Sequence, residues 1–387
     1  MWTQNINWSG LGTDDPRLDI QQANLIFVFG QTDAFSEGGE GMLSGVSALR
    51  QAAPHAHIIG ASTGSSIAGQ ALHEEGLQAL AIGFERVSLR QAAVTVDAAQ
   101  ESYDAGVRLG KALLANDLRH VLMLSKGLEI NGSQLAEGMT SVIGDRVSLS
   151  GGMAGDGARF GQTFVLLDGQ PQEHMVAAIG FYGDALRIGT SASGGWREFG
   201  PERLITRSEG STLIELDGVP ALDLYERYLG DEAAGLPASA LIYPLKIRNP
   251  DYPDREMVRT VLSVDKETRT LTFAGDMPEG WSARLMRGQF DNLVLGAEAA
   301  AEEALKSLRR LEPDLRPELS LMVSCVGRRL LMGQRTVDEV EAVSAILGDD
   351  VPQTGFYSYG EIAPLAGTGV SGLHNQTVCL TLFAEVP

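Results

Sequence analysis

Ile58-Ile59-Gly60-Ala61-Ser62-Thr63-Gly64 is a short apolar run that breaks into a glycine turn. Such a run, bounded by turn residues, reads as a buried strand. Upstream, Leu25 to Phe29 is a second run of this kind, and downstream Leu80 to Phe84 is a third. The order recurs as Val121 to Leu124, Leu149-Ser150-Gly151-Gly152 and Val176 to Phe181. It recurs again as Leu321 to Cys325, Gly355-Phe356-Tyr357-Ser358-Tyr359-Gly360 and Val378 to Phe383. From the end of the first run to the turn glycine the spacings are 31 (Phe29 to Gly60), 28 (Leu124 to Gly152) and 30 (Cys325 to Gly355). From that glycine to the closing Phe they are 24, 29 and 28. A helical segment fills each first interval. In the third copy Val337, Val340, Val343 and Leu347 share one helical face, Thr336 and Glu339 have capping-box spacing, and Gly348 suits the stop. The expected fold is α/β, with mixed sheets flanked by helices and an internally repeated strand–helix–strand–glycine turn–strand unit.

Residues 186–290 have another texture, with short β-like runs such as Thr212 to Leu216, Met257 to Val264 and Arg269 to Phe273. A long helix is predicted next, from Phe290, Leu293, Ala297, Ala301, Ala304, Leu308 and Leu311 at helical spacing, ended by Pro313. The boundary is placed at Gly200-Pro201, giving two related halves, 23–200 and 201–387.

The 387 residues carry a net charge of −20 with a pI near 4.7. That surface repels phosphate backbones and anionic lipid, so nucleic acid and membrane are not expected partners. No targeting or spanning segment is read, and two cysteines are too few for a disulfide framework. A cytoplasmic protein with reduced thiols is the expectation.

Ser324-Cys325-Val326-Gly327-Arg328, Tyr359-Gly360-Glu361-Ile362 and Leu373-His374-Asn375-Gln376-Thr377 resemble the C-terminal FIST domain in order and spacing. Gly60 to Gly64 and Gly151-Gly152-Met153-Ala154-Gly155-Asp156-Gly157 resemble the N-terminal FIST domain. The resemblance runs from about Ala23 to Phe383. It implies a small-ligand sensory module in signal transduction, for amino acids or, in one bacterial branch, for nitric oxide through bound haem b. That branch acts on a partner sensor histidine kinase. Any output is therefore expected to pass through another signalling protein.

The residues themselves leave alternatives open. The Gly152 turn can present amide N–H groups to an anion or simply connect two strands, with Asp156 bonded to local backbone. Gly60, Ser62 and Thr63 are the matching candidates in the first turn. Tyr357, Tyr359, Glu361, His374 and Asn375 can orient a polar ligand or form a buried network. Arg328 reads as an anion clamp or a partner of Glu361. Cys325 is a ligand contact or, less favoured, a nucleophile with His374 as base. A non-covalent haem would need a histidine, and His374 and His174 are the first candidates. The expected function is a sensor without catalytic residues, with an amino-acid or small-anion sensor as the alternative to haem.

Overall fold

The computed structural model describes residues 1–7, 19–36, 40–236, 238–252, 256–365 and 370–386. Three copies of one unit organise it. Their first strands are Leu25–Gly30, Leu118–Ser125 and Leu319–Cys325. Their helices are Glu40–Ala52, Gly132–Ile143 and Thr336–Leu347. Their second strands, parallel to the first, are His57–Ser62, Ser148–Met153 and Gln353–Ser358. The antiparallel closing strands are Leu77–Gly83, Met175–Tyr182 and Val378–Glu385, each flanked by an edge strand: Trp2–Asn7, Ser88–Thr95 and Leu186–Ser193.

Between its second and closing strands each unit throws out a hairpin that pairs with a neighbour's sheet. Ser66–Ala68 and Ala71–His73 join the third unit's second strand. Val165–Leu167 and Gln170–Gln172 join the first unit, and Glu361–Pro364 with Ser371–His374 joins the second. The exchange is cyclic and gives three six-stranded sheets. The three units thereby close into a ring.

The sheets enclose one apolar core drawn from all three units. Phe29 stacks on Phe356 at 4.7 Å, and Phe181 meets Phe383 at 5.4 Å. Each fully buried Phe contributes about 1.5–3 kcal/mol relative to exposure, so the core adds to the strand pairing that holds the exchange together. Each parallel crossing also depends on a glycine. A Cβ on Gly60, Gly151 or Gly355 would lie 1.9, 1.9 or 1.8 Å from the carbonyl of Val28, Met123 or Met322. The repeated glycine of the second unit is therefore Gly151, one residue before the expected Gly152.

A nine-stranded β-rich body spanning Arg197 to Arg287 is inserted between the third unit's edge strand and the helix Phe290–Leu311. The Gly200-Pro201 boundary falls inside this insert. The predicted capping box is not made. Thr336 donates to Gly333 O at 2.6 Å, and Glu339 is turned into the interior. Among the described residues no helix is long and apolar enough to cross a membrane.

Candidate functional site

The second-strand ends of the three units converge, and their polar side chains stitch unit to unit. Ser62 Oγ donates to Gly155 O at 2.9 Å and accepts from Phe164 N at 2.8 Å. Thr63 Oγ1 donates to Tyr357 O at 2.7 Å and accepts from Tyr357 N at 3.1 Å. Gly152 lies where a Cβ would meet Val323 at 2.7 Å. These candidate positions, with Gly60, are thus taken up by contacts within the protein itself.

Asp156 is the staple of the long second turn. Its carboxylate accepts from the backbone N–H of Phe160, Gly161 and Gln162 at 2.8–2.9 Å and from the Tyr359 hydroxyl. Burial works against its charge, yet the Tyr359 hydroxyl and the three N–H groups hold its pKa below the usual range.

Arg328 pairs with Glu339, not Glu361. Both are 0% exposed, and Nε and Nη2 donate to Glu339 Oε2 at 3.0 and 2.7 Å. Ser324 and Tyr357 hydroxyls complete Glu339 Oε1 at 2.8 and 2.7 Å. The remaining Arg328 N–H groups meet carbonyls of Gly194 and Leu293. Nε, Nη1 and Nη2 of Arg328 all donate to groups of the protein itself, the Gln376 carbonyl included, which leaves no free edge for an anion.

Glu361 is buried under the third turn. It accepts from Ser358 Oγ at 2.8 Å and from Thr377 Oγ1 at 2.9 Å. Burial pushes its carboxyl up to about 7, although those bonds and the Cys325 thiol pull the other way. Burial and the nearby Glu361 raise the Cys325 thiol well above its ordinary value, so it stays neutral. His374 Nε2 donates to Ala363 O at 3.2 Å, and burial with the Arg259 charge lowers its pKa to about 4. Asn375 Nδ2 donates to His374 O at 2.9 Å, and its Oδ1 accepts from Thr260 N at 3.4 Å. His174 is 55% exposed beside Asp97, at 3.9 Å. Among the described residues no group of three or more His, Cys, Asp or Glu could hold a metal ion.

An apolar cavity of ≈ 420 Å³ opens where the second and third units meet the insert. Its size lies within the roughly 300–1,000 Å³ of small-molecule pockets. The second unit supplies the segment Gly127 to Gly132, Met153 and Phe160; the third supplies Cys325 to Gly327, Tyr359 and Leu373. Thr260, Leu262 and Phe273 come from the insert. Of the candidates read in the sequence, Cys325 and Tyr359 alone line it. Thr260 is buried, and its hydroxyl has no hydrogen-bond partner among the described residues. A buried polar group left unpaired is costly, and a ligand acceptor or donor would relieve it.

Sequence reasoning missed Thr260 and Phe273 because they lie in the insert, Thr260 between two strands and Phe273 at the end of one, in runs that look like any others. It also missed Lys126. Backbone bonds from Gln31, Lys126 and Cys325 to Gly76, Met175 and Thr377 make these three positions equivalent around the ring. Only alignment through the repeat would have singled out that lysine, which is 2% exposed.

Two proteins of Mycobacterium tuberculosis, both named only as uncharacterized, are similar to this chain. Rv0628c (strain H37Rv) is 27% identical over 64% of this chain and 61% of its own length. MT0897 (strain CDC 1551) is 25% identical over 61% of this chain and 60% of its own. This chain thus spans about three fifths of the curated relatives it matches. A solved structure of cyanuric acid hydrolase from A. caulinodans overlays 78% of this chain and all of that one. That overlay has 10% sequence identity and a TM-score of 0.19. The FIST N domain matches residues 24–219, just over half of the chain, and the FIST C domain matches residues 221–364. FIST domains are associated with sensory signal transduction and small-ligand binding, and this chain belongs to the FIST family.

Proposed function

We propose that this chain is a small-ligand sensor whose ligand occupies the ≈ 420 Å³ cavity between the second unit, the third unit and the insert. One observation carries the reading: three separate bodies of the fold wall a single, largely apolar space, and one of its lining residues, Thr260, has a buried hydroxyl with no partner among the described residues. A ligand touching all three favours one relative placement of insert and ring, which is the differential contact a switch requires. The ligand class is a small, mostly apolar molecule with one group that bonds Thr260. In this reading the chain is not an enzyme, since a neutral, buried Cys325 is a poor nucleophile.

Haem b and nitric oxide sensing fit the residues poorly. His374 and His174 do not line the cavity. The side chains that do include the Met153 thioether, the neutral Cys325 thiol, the Glu129 carboxylate and the Tyr359 hydroxyl, which is already given to Asp156, but no histidine. We therefore favour a haem-free sensor. Its output goes to a second signalling protein in the cytoplasm, a sensor histidine kinase in the form the family resemblance suggests.

A thermal-shift screen of small apolar fragments tests this, with Thr260→Leu filling the cavity as control. Hits should stabilise the native protein and lose most of their effect in the variant. Hits unaffected by Thr260→Leu would contradict the assignment.

A further inference from the structure

Arg259 is 3% exposed, and no carboxylate is hydrogen-bonded to it among the described residues. Its Nε donates to Asp276 O at 3.2 Å, and Nη1 donates to Leu373 O at 3.0 Å and Val258 O at 3.4 Å. Nη2 reaches only the Ser133 hydroxyl at 3.4 Å and the Met257 thioether at 2.8 Å. The Asp276 carboxylate is committed elsewhere, accepting from Asn131 Nδ2 at 2.9 Å and Gln134 Nε2 at 3.1 Å. A buried guanidinium ordinarily finds an anion, because neutral acceptors return less than its desolvation costs. Burial accordingly lowers its pKa to about 10, against the pull of Asp276.

The weakly met Nη2 edge borders an open space. Ser133, Met257 and Arg259 all line a second cavity of ≈ 420 Å³, between the helix Gly132–Ile143, the insert and the strand Ser371–His374. Trp281, Pro278 and Leu373 give it apolar walls. Leu373 also lines the first cavity, so one side chain is common to both spaces.

We propose that this second cavity binds a small monocarboxylate with an apolar body, the carboxylate taking the Nη2 edge of Arg259 from the Met257 thioether and the Ser133 hydroxyl. A carboxylate forms charge-assisted bonds there that a thioether, a weak acceptor, cannot match. Glu137 and Asp276 also line the space and disfavour a phosphate dianion. The proposal does not rest on what fills the first cavity.

The test is ¹³C-methyl methionine NMR on the full chain, titrated with benzoate, phenylacetate and 3-phenylpropionate, each beside its amide. Met257 lines this cavity and Met153 lines the other, so the two methyl signals separate the sites. At least one acid should shift Met257 at millimolar concentration, with its amide roughly ten-fold weaker or worse. Arg259→Gln should abolish that shift while its melting curve remains cooperative; Arg259→Lys, which keeps the charge but not the fork, should retain part of it. Amides that bind as well as acids would overturn the proposal. So would inorganic phosphate acting as strongly, or no acid shifting Met257. Acids that shift Met153 alone would overturn it too, and would instead support a ligand in the first cavity.

Discussion

The ring of Phe160 stacks on Tyr359 with centroids 4.7 Å apart and planes 15° from parallel. Phe160 holds this position in the left-handed region, at φ 48°, which an aromatic residue rarely adopts. Asp156 makes it tenable by capping the Phe160, Gly161 and Gln162 N–H groups while accepting from Tyr359. One wall of the first cavity is therefore a strained loop pinned across 203 residues of sequence by one phenol.

Tyr359→Phe keeps the stack and removes the pin. It should cost about 2 kcal/mol in urea unfolding, the value of a hydrogen bond to a charged group. Proteolysis near Phe160 should accelerate more than that loss of global stability explains. Equal effects on both would mean that the phenol supports the fold without holding the loop.

Glu339→Gln leaves the Arg328 charge buried without its partner and should destabilise by about 3–5 kcal/mol. Arg328→Met combined with Glu339→Leu removes both charges and should cost less than the single change. Denaturant titration of both variants decides this. A double variant worse than the single would mean that the carbonyl bonds from Arg328 to Gly194 and Leu293 carry the stability.

This ion pair also shows where sequence reading stopped. Thr336 and Glu339 have capping-box spacing, and nothing local says that Glu339 will turn inward to an arginine 11 residues earlier. The repeat itself was legible, because strand–helix–strand spacing and a glycine at each parallel crossing are local signals. The exchange of hairpins was not legible, since the strands Ser66–Ala68 and Glu361–Pro364 choose partners in other units by packing. The first cavity was half legible. Cys325, Tyr359 and Leu373 stand in motifs, whereas Thr260 and Phe273 matter only through the insert's placement.

Gly355→Ala would put a methyl 1.8 Å from the Met322 carbonyl and should destabilise by about 3 kcal/mol or more, with Gly60→Ala and Gly151→Ala similar. Gly152→Ala meets a movable Val323 methyl at 2.7 Å and should cost less. The four melting curves rank these directly, and a Gly152→Ala variant at the bottom would contradict the assigned register.

Glu361 titrates at about 7 in the fold against an ordinary 4.5. A carboxyl raised on folding gives stability that is full below the unfolded value and lost as pH rises through 7. Between those values the loss is on the order of 3 kcal/mol. Glu361→Gln should therefore gain on wild type as pH rises from 4.5 to 7, then hold level. Buried His120 and His374, lowered to about 3 and 4, act oppositely and lose stability as pH falls below their unfolded value. They cancel in the difference between variant and wild type. A flat difference curve would place Glu361 at its ordinary pKa.

Protein expressed with haem available should show no stoichiometric Soret band that depends on His374 or His174. An absorption spectrum with and without nitric oxide checks this. A band that moves with the gas and disappears in His374→Ala or His174→Ala would restore the haem reading.

The central claim, a ligand held between two units and the insert, is tested most directly by the ¹³C-methyl signal of Met153 in the presence of any fragment that stabilises the protein. Met153 sits on the wall of the first cavity. The account predicts that its methyl shifts with fragment and stays still in Thr260→Leu. Stabilising fragments that leave Met153 unmoved would contradict it.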